Sequence, residues 1–320
     1  MRLLWALGLF SALLHVTSCL LIGAFNIQKF GDRKSRNKDV MDIIKEIVLR
    51  YDIILIQEVL DKDLTATKRL MDLVNKGSPQ FRAIVSDPLG PTKHKERYLF
   101  LYRHNKVSVK DWFQYDVKGF DRPPFVVQFS STETGVDFVL IPIHTKPESA
   151  VKEIDALVDV VEAAREKWKN NNIVVLGDFN AGGTYVRTDD WKNIRRLRDN
   201  LNFHWLIDDN VDTAVLGLPK AYDRIVVTTD MKKGVLKAGV FKAYGLGDQT
   251  VSGYGRLLKS LHVSLRVSLM ELKALAVSDH FPVEVELKPL RNAKKRGRES
   301  DETSPKDYPV GIFLQPRSIE

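Results

Sequence analysis

Apolar and polar positions alternate regularly in the segment SDHFPVEVEL, residues 278–287. From Phe281 to Leu287 every second residue is apolar, and the residues between them are proline or glutamate. A period of two predicts a strand with one buried face. Asp279 and His280 directly precede this run, so an acid and a histidine stand where the predicted strand begins.

Segments of strand type and helix type follow each other along most of the chain. Apolar runs predict strands, and apolar residues at helical spacing predict amphipathic helices. The predicted strands are 20–27, 52–59, 81–85, 97–103, 125–130, 136–145, 173–180, 222–227 and 281–287. The predicted helices are 37–51, 64–76 and about 148–168. This alternation favours sheets covered by helices, with no linker-like stretch before Pro289.

The first residues have another pattern. Residues 1–19 hold one arginine, an apolar run from Leu3 to Leu14, and small or polar residues up to Cys19, the only cysteine. This is typical of a secretory signal peptide, because the apolar run is shorter than the roughly 20 residues of a membrane-spanning helix. We therefore expect a secreted chain without a stable membrane span, with one folded domain at 20–288 and a tail at 289–320.

Positive charge is concentrated near the end of the chain. The formal net charge is +8, and the polar tail, with its scattered prolines, predicts disorder. The stretch from the last domain residue into the tail carries basic residues without acidic ones: Lys288, Arg291, Lys294, Lys295, Arg296 and Arg298. A basic body with a basic tail favours a polyanionic partner, and a solvated charge run without a partner is an equal alternative.

Polar residues stand at the ends of several predicted strands. Such ends are the usual place for a site held by a rigid scaffold. Each residue alone also fits a structural role as a cap or turn residue. The residues are Asn26, Glu58, His144, Asp178, Asn180, Asp223, Asp279 and His280.

The residue types in this set suit one kind of chemistry. Carboxylate and amide oxygens are ligands for Mg²⁺, Mn²⁺ or Ca²⁺ rather than for zinc, whose usual thiolates are absent from this set. Two histidines beside further acids supply a general acid and a general base near neutral pH. The set therefore predicts metal-assisted hydrolysis of a phosphate ester.

The order and separation of several motifs carry a family resemblance. The motifs are AFNIQKFG, QEV, KERYLFLYR, IPIHTKP, LGDFNA, AYDRIVV and SDHFPVEVEL. Together they resemble the deoxyribonuclease I family of the endonuclease/exonuclease/phosphatase superfamily over roughly residues 20–288. The resemblance implies an α/β (α+β) fold, a four-layer sandwich with two central mixed β-sheets flanked by helices and the site at their shared edge.

The resemblance also implies a role for each candidate residue. His144 with Glu96 resembles the proton-donating pair, and His280 with Asp223 resembles the water-activating pair. The residues that resemble the divalent-metal site are Asn26, Glu58, Asp178 and Asp279. Arg122 and Asn180 resemble contacts to the DNA phosphate. The implied cofactor is Mg²⁺ or Mn²⁺, with Ca²⁺ supporting activity.

Three features depart from the family pattern. Gly183 and Lys220 stand where family members commonly have a disulfide. The segment 209–219 corresponds to a calcium loop, but it carries apolar residues that cannot ligate calcium, which calls a structural calcium there into question. An insertion at about 251–270 precedes Asp279 and His280. It is interpreted as an extra edge strand, a poorly packed loop or a misassembled part of the gene model. If it is present in the protein, it could weaken catalysis by displacing Asp279 and His280.

The family resemblance and the expected signal peptide together imply a secreted endodeoxyribonuclease that cuts double-stranded DNA, including chromatin, to 5′-phosphate ends. We expect a monomer, with actin as a further candidate partner. The tail residues expected to bind DNA are Lys294, Lys295, Arg296 and Arg298, and a nuclear-import signal is the less favoured interpretation. The alternatives are a phosphodiesterase on a lipid or phosphoinositide and a catalytically impaired DNA- or actin-binding protein.

Overall fold

The computed structural model describes residues 19–78, 80–217, 219–242 and 273–290. Most of the expected signal peptide, the expected insertion at 251–270 and nearly all of the tail, with its four candidate DNA-binding residues, lie outside the described residues. The interpretations of those segments stay predictions. Among the helices of the described part, none is long and apolar enough to cross a membrane.

Strands dominate the described residues. They are β1 (Leu20–Phe30), β2 (Ile53–Val59), β3 (Phe81–Val85), β4 (Arg97–Arg103), β5 (Val107–Gln114), β6 (Phe125–Ser131), β7 (Asp137–His144), β8 (Ile173–Asp178), β9 (Phe203–Trp205), β10 (Asp223–Thr228), β11 (Val235–Val240) and β12 (Val283–Leu287). The α-helices include α1 (Asp32–Ser35), α2 (Lys38–Arg50), α3 (Thr65–Val74), α4 (Ala150–Trp168), α5 (Arg195–Arg198) and α6 (Thr229–Lys232), and residues 273–277 are also helical. Short 3₁₀ turns cover Pro147–Ser149 and Thr188–Asn193.

The strands form two mixed sheets of six strands each. The first has the order β11-β12-β1-β2-β4-β3, and the second has the order β5-β6-β7-β8-β10-β9. Each sheet contains one parallel pair, β1 with β2 and β7 with β8, and the other neighbours are antiparallel.

Apolar residues fill three layers between these elements. One core joins the outer face of the first sheet to α2 and α3 through residues such as Ile44 and Leu70. The second lies between the two sheets and includes Phe100 and Phe129, whose rings meet edge to face at 5.7 Å. The third packs α4 on the second sheet. The expected four-layer sandwich is confirmed.

The nine predicted strands and three predicted helices all occur in the structure within a few residues of their expected bounds. Sequence analysis missed β5, β9 and β11. All three are edge strands, and their side chains are mostly half-buried or exposed. An edge strand has few buried positions, so its apolar periodicity is weak.

The two positions of the missing disulfide lie side by side. A Cβ placed on Gly183 would lie 3.4 Å from the Lys220 side chain, and Gly183 has a left-handed φ of +60°. The two loops therefore approach each other without a covalent link.

Candidate active site

Strand direction brings the candidate residues to one edge of the sandwich. In the first sheet β1 and β2 are parallel, so Asn26 and Glu58 lie toward the same ends of their strands, and the antiparallel β12 begins there just after His280. In the second sheet Asp178 is the register partner of both His144 and Asp223.

His144 forms one imidazole–carboxylate pair. Its Nδ1 lies 2.8 Å from Oε2 of Glu96. Burial opposes the charge of Glu96, but the hydrogen bond from His144 and the nearby Arg122 guanidinium lower its pKa below the ordinary value. The carboxylate therefore stays ionised and fixes the orientation of the imidazole, leaving Nε2 directed toward the site.

His280 forms a second pair of the same kind. Its Nδ1 lies 2.8 Å from Oδ2 of Asp223. Burial disfavours the imidazolium, but Asp223 and Asp178 outweigh it and hold the pKa of His280 well above its ordinary value. Burial raises the pKa of Asp223, opposed by the charge of His280.

Asp178 lies between the two pairs. Its Oδ2 is 3.6 Å from Nε2 of His144 and 3.7 Å from Nε2 of His280. Burial raises the pKa of this carboxyl, yet the two imidazoles and hydrogen bonds from Asn180 and Asn26 bring it below the ordinary value. Both imidazole Nε2 atoms thus face one buried carboxylate oxygen.

Asn26 connects this centre to Glu58. Its Nδ2 donates to Glu58 Oε1 at 3.0 Å and to Asp178 Oδ2 at 3.1 Å. The second oxygen of Glu58 accepts the backbone N–H of Lys29 at 2.9 Å. One amide therefore holds carboxylates from the two different sheets.

Backbone strain is concentrated in the same place. Among the described non-glycine residues with positive φ are Gln28 (45°), Lys29 (54°), Glu58 (56°) and Asn180 (47°). Left-handed conformations of such residues are costly and cluster at functional sites.

The two candidate phosphate contacts are engaged with the protein. Arg122 donates to Glu96 at 3.3 Å and to the carbonyls of His144 and Thr145 at 2.9 Å each. Asn180 donates through Nδ2 to the Thr145 carbonyl at 3.0 Å. Arg122 therefore supports the His144 pair and has two further N–H groups for a ligand.

Asp279 is the most exposed of the expected metal residues. Its side chain is 50% accessible, and its Oδ1 lies 3.9 Å from His280 Nε2. It borders the His280 pair from the solvent side.

The donor set fits a hard divalent cation. Among the described residues, Asp178, Asp223 and His280 offer ligand atoms within 4.8 Å of one another, and Asp223 Oδ1 is buried without a hydrogen-bond partner. Glu58 and Asp178 add carboxylate oxygens around Asn26, as Mg²⁺ or Mn²⁺ requires. Of the three residues whose ligand atoms lie within 4.8 Å, only Asp178 belongs to the metal set expected from the sequence.

Buried polar residues that sequence analysis missed form hydrogen bonds to the backbone around the site. The Tyr98 hydroxyl accepts the N–H of His144 and donates to the Arg122 carbonyl. Gln57 links the sheets by donating to the Ile143 carbonyl at 2.6 Å and accepting the N–H of Asp178 at 3.1 Å. Polar side chains inside the apolar segments IILIQEV and RYLFLYR were the available signal.

Gly177 permits this close approach of the sheets. It has φ of +132°, and a Cβ there would lie 2.3 Å from the Ile143 carbonyl oxygen and within 3.0 Å of the Gln57 amide. The glycine of LGDFN is therefore required by both conformation and space.

The segment that corresponds to a calcium loop is held by its own backbone. Asp212 Oδ1 accepts the N–H groups of Ala214 and Lys220 at 3.2 and 3.1 Å, and Lys242 lies 3.7 Å from Oδ2. The carboxylate thus has partners within the protein, and these contacts do not test the question that the sequence raises about a structural calcium here.

A buried carboxyl lies beneath the Arg122 loop. Oε1 of Glu153 accepts the N–H groups of Lys146 and Asp121 at 3.3 and 3.5 Å, whereas Oε2 is buried without a hydrogen-bond partner. Burial raises the pKa of Glu153 to about 7, against the opposing effect of those N–H groups and Arg122.

We expect Glu153→Gln to stabilise the protein at pH 8. The raised pKa contributes stability that is fully present below the ordinary value of 4.5 and is lost as pH rises through about 7. Glutamine avoids the buried charge above that range, so the gain could reach roughly 3 kcal/mol. Urea unfolding at pH 5 and pH 8 measures it, with the exposed Glu148→Gln as control. A wild type that is more stable than Glu153→Gln at pH 8 would contradict this expectation.

Comparisons with known proteins agree with this geometry. The family model for the endonuclease/exonuclease/phosphatase family matches residues 23–280. Deoxyribonuclease-1 of Sus scrofa is 41% identical over 302 residues, covering 90% of this chain and 98% of that protein. Deoxyribonuclease-1 of Homo sapiens is 41% identical with 90% and 99% coverage. Deoxyribonuclease-1-like 2 of Mus musculus is 41% identical with 89% and 95% coverage.

Solved structures share the fold at lower identity. A Bacteroides thetaiotaomicron protein of the endonuclease/exonuclease/phosphatase family has a TM-score of 0.55 at 16% identity, covering 88% of this chain and 98% of that one. The human Nocturnin catalytic domain has a TM-score of 0.53 at 14% identity, with 85% and 94% coverage.

Proposed function

The chain belongs to the endonuclease/exonuclease/phosphatase family as a relative of deoxyribonuclease-1, and from this we propose that it is a secreted, divalent-metal-dependent endodeoxyribonuclease. The observation that carries the proposal is the pair of imidazole–carboxylate couples around Asp178. The relatives support deoxyribonuclease activity directly. Secretion, the metal and the cleavage products are proposed in addition.

His280 acts as the general base. Its Nδ1–H donates to Asp223, so Nε2 is the proton acceptor when the imidazole is in its neutral form. Nε2 takes a proton from water, and the water oxygen attacks the phosphorus of the scissile phosphodiester. Asp223 stabilises the imidazolium that results.

His144 acts as the general acid. Its Nε2–H gives a proton to the departing 3′ oxygen, while Glu96 holds Nδ1, so the products are a 5′-phosphate and a 3′-hydroxyl. A divalent cation, held by Asp178 with Glu58, Asn26 and Asp279, would supply charge neutralisation at the phosphate oxygens. Arg122 and Asn180 orient the phosphate through N–H groups.

Double-stranded DNA is the proposed substrate. The relatives that match almost the whole chain are named deoxyribonucleases, which supports DNA over a lipid or phosphoinositide. Contacts to backbone phosphates would make binding sensitive to salt.

The proposal is tested by plasmid nicking with purified protein in Mg²⁺ and Ca²⁺. We expect supercoiled plasmid to become nicked and then linear, and EDTA to stop the reaction. The logarithm of the DNA-binding constant should fall linearly with the logarithm of the salt concentration, with a slope of about −0.9 per phosphate contacted. Hydrolysis of labelled sphingomyelin or phosphoinositide with intact plasmid would favour the lipid alternative. DNA binding without cleavage would favour the impaired alternative.

Two companion samples test the insertion and secretion. A variant lacking residues 251–270 shows whether the insertion affects cleavage, because only the shortened protein should cut if the insertion blocks the site. Protein collected from the medium of expressing cells, compared with the cell pellet, tests secretion. Retention of all activity in the pellet would argue against it.

A further inference from the structure

Lys34 on α1 is bonded to three backbone carbonyls. Its Nζ donates to Ile27 at 2.6 Å, to Val277 at 2.5 Å and to Gln28. An ammonium group has three N–H donors, so all of them are used within the protein. Lys34 is therefore not arranged to bind a phosphate of the substrate.

These carbonyls belong to the two halves of the active site. Ile27 and Gln28 directly follow Asn26, while Val277 precedes the segment Ser278–His280. The ladder between β1 and β12 ends at Ala24 and Val283. Beyond that pair, the segment after Ala24 and the segment before Val283 are joined by hydrogen bonds from side chains.

Ser278 forms the second link across the same gap. Its hydroxyl donates to the Asn26 carbonyl at 2.6 Å and accepts the N–H of His280 at 3.1 Å. Lys34 thus joins Ile27 and Gln28 to Val277. Ser278 joins Asn26 to His280.

The Lys34 contacts also hold a strained turn. Gln28 and Lys29 have left-handed φ values of 45° and 54°, and the β1–β2 register shifts here. Their N–H groups donate to Asn26 Oδ1 and Glu58 Oε2. The bulge orients both side chains, and its outward carbonyls are bonded by Lys34.

The electrostatic setting agrees with a fixed, desolvated ammonium. Burial lowers the pKa of Lys34 to about 8, while the charges of Glu58 and Asp279 oppose that shift and Lys29 adds to it.

We propose that Lys34 is a positioning residue that fixes the spacing between the Asn26–Glu58 half and the Asp279–His280 half of the active site. The role rests on the proposed function, since it acts through residues assigned to that chemistry. A displacement of about 1 Å at such a site can cost about 100-fold in rate.

The test compares Lys34→Met with Lys106→Met. Methionine keeps an apolar stem but no donors. Lys106 is the matched control because its ammonium pairs with Asp52 at 2.9 Å, just before β2 begins and so at the edge opposite Glu58. For Lys34→Met we expect kcat on plasmid to fall about 100-fold with KM for DNA little changed, whereas Lys106→Met retains both values.

A second readout does not depend on activity. In cation-free protein, hydrogen exchange at residues 26–30 and 277–281 should accelerate about tenfold in Lys34→Met through local opening, and stay unchanged in Lys106→Met. If Lys34→Met does not fold by circular dichroism, Lys34→Gln, which also removes the charge, replaces it in the same comparison.

A folded Lys34 variant with unchanged kcat, or with unchanged exchange in both segments, would overturn the proposal. A wild type that does not cleave DNA would instead overturn the proposed function. In that case the exchange comparison still decides whether Lys34 holds the two segments together.

Discussion

His280→Ala should reduce plasmid nicking by about 10³-fold or more, the largest loss expected from any single substitution. In the proposed mechanism the variant lacks the atom that accepts the water proton, and general acid–base catalysis typically contributes 10²- to 10⁴-fold. It also leaves Asp223, whose Oδ1 already lacks a hydrogen-bond partner, without its imidazole. The measurement is the initial rate of supercoil loss in Mg²⁺ and Ca²⁺.

His204→Ala is the matched control for this prediction. His204 lies on the edge strand β9, where its Nε2 is 3.0 Å from the Thr229 hydroxyl. Circular dichroism and DNA binding should show that both variants fold and bind. A folded His280→Ala protein with more than a tenth of the wild-type rate would rule out His280 as the base.

The same substitution should change how stability depends on pH. The pKa of His280 is raised above its ordinary value of 6.5 by Asp223 and Asp178 against the effect of burial. Its pair therefore contributes stability that is fully present below pH 6.5 and is lost as pH rises through the folded-state pKa. In EDTA, the free energy of unfolding of His280→Ala, measured as a function of pH, should not show this loss.

Asp178→Asn is expected to lower the nicking rate by about 10²- to 10³-fold. The amide keeps the shape of the side chain but removes the negative charge that faces both imidazoles at 3.6 and 3.7 Å. It also removes a carboxylate from the proposed cation site. Its NH₂ group would meet the Asn26 amide, which donates to Asp178 Oδ2 at 3.1 Å.

Asp178→Asn offers a readout that separates electrostatics from misfolding. Because Asp178 raises the pKa of His280, that pKa should fall in the variant, as measured by NMR titration of the imidazole in EDTA. Asp137→Asn is the control, since Asp137 pairs with Lys110 at the opposite end of β7. An unchanged His280 pKa together with near-normal nicking would remove Asp178 from the centre of the site.

Much of the candidate site could be predicted because its residues interrupt apolar runs. Asn26, Glu58 and His144 each stand near the end of a buried strand, and His280 stands just before one. Continuous apolar runs locate the first three strands in the sequence, and alternation at period two locates the strand after His280. The resemblance then paired each histidine with an acid, and the structure places Glu96 and Asp223 at 2.8 Å from their partners.

The supporting residues could not be predicted in the same way. Lys34 reads as one more charged residue in the segment GDRKSRNK, and Ser278 as a turn residue. Lys34 bonds to the carbonyl of Val277 and Ser278 bonds to the carbonyl of Asn26. Each partner is more than 200 residues away in the chain. Local patterns report burial, but they do not report which distant backbone groups a side chain will meet.

The sequence by itself determined the buried strands, the three long helices and which polar residues stand at strand ends, because periodicity records the burial of each position. Only the tertiary structure decided how the strands are ordered and how closely their ends approach. Register and sheet-to-sheet contact arise from long-range packing, here through Gln57 and Gly177 between the sheets. That packing places two imidazoles on either side of Asp178 and brings separate strand ends together in one candidate active site.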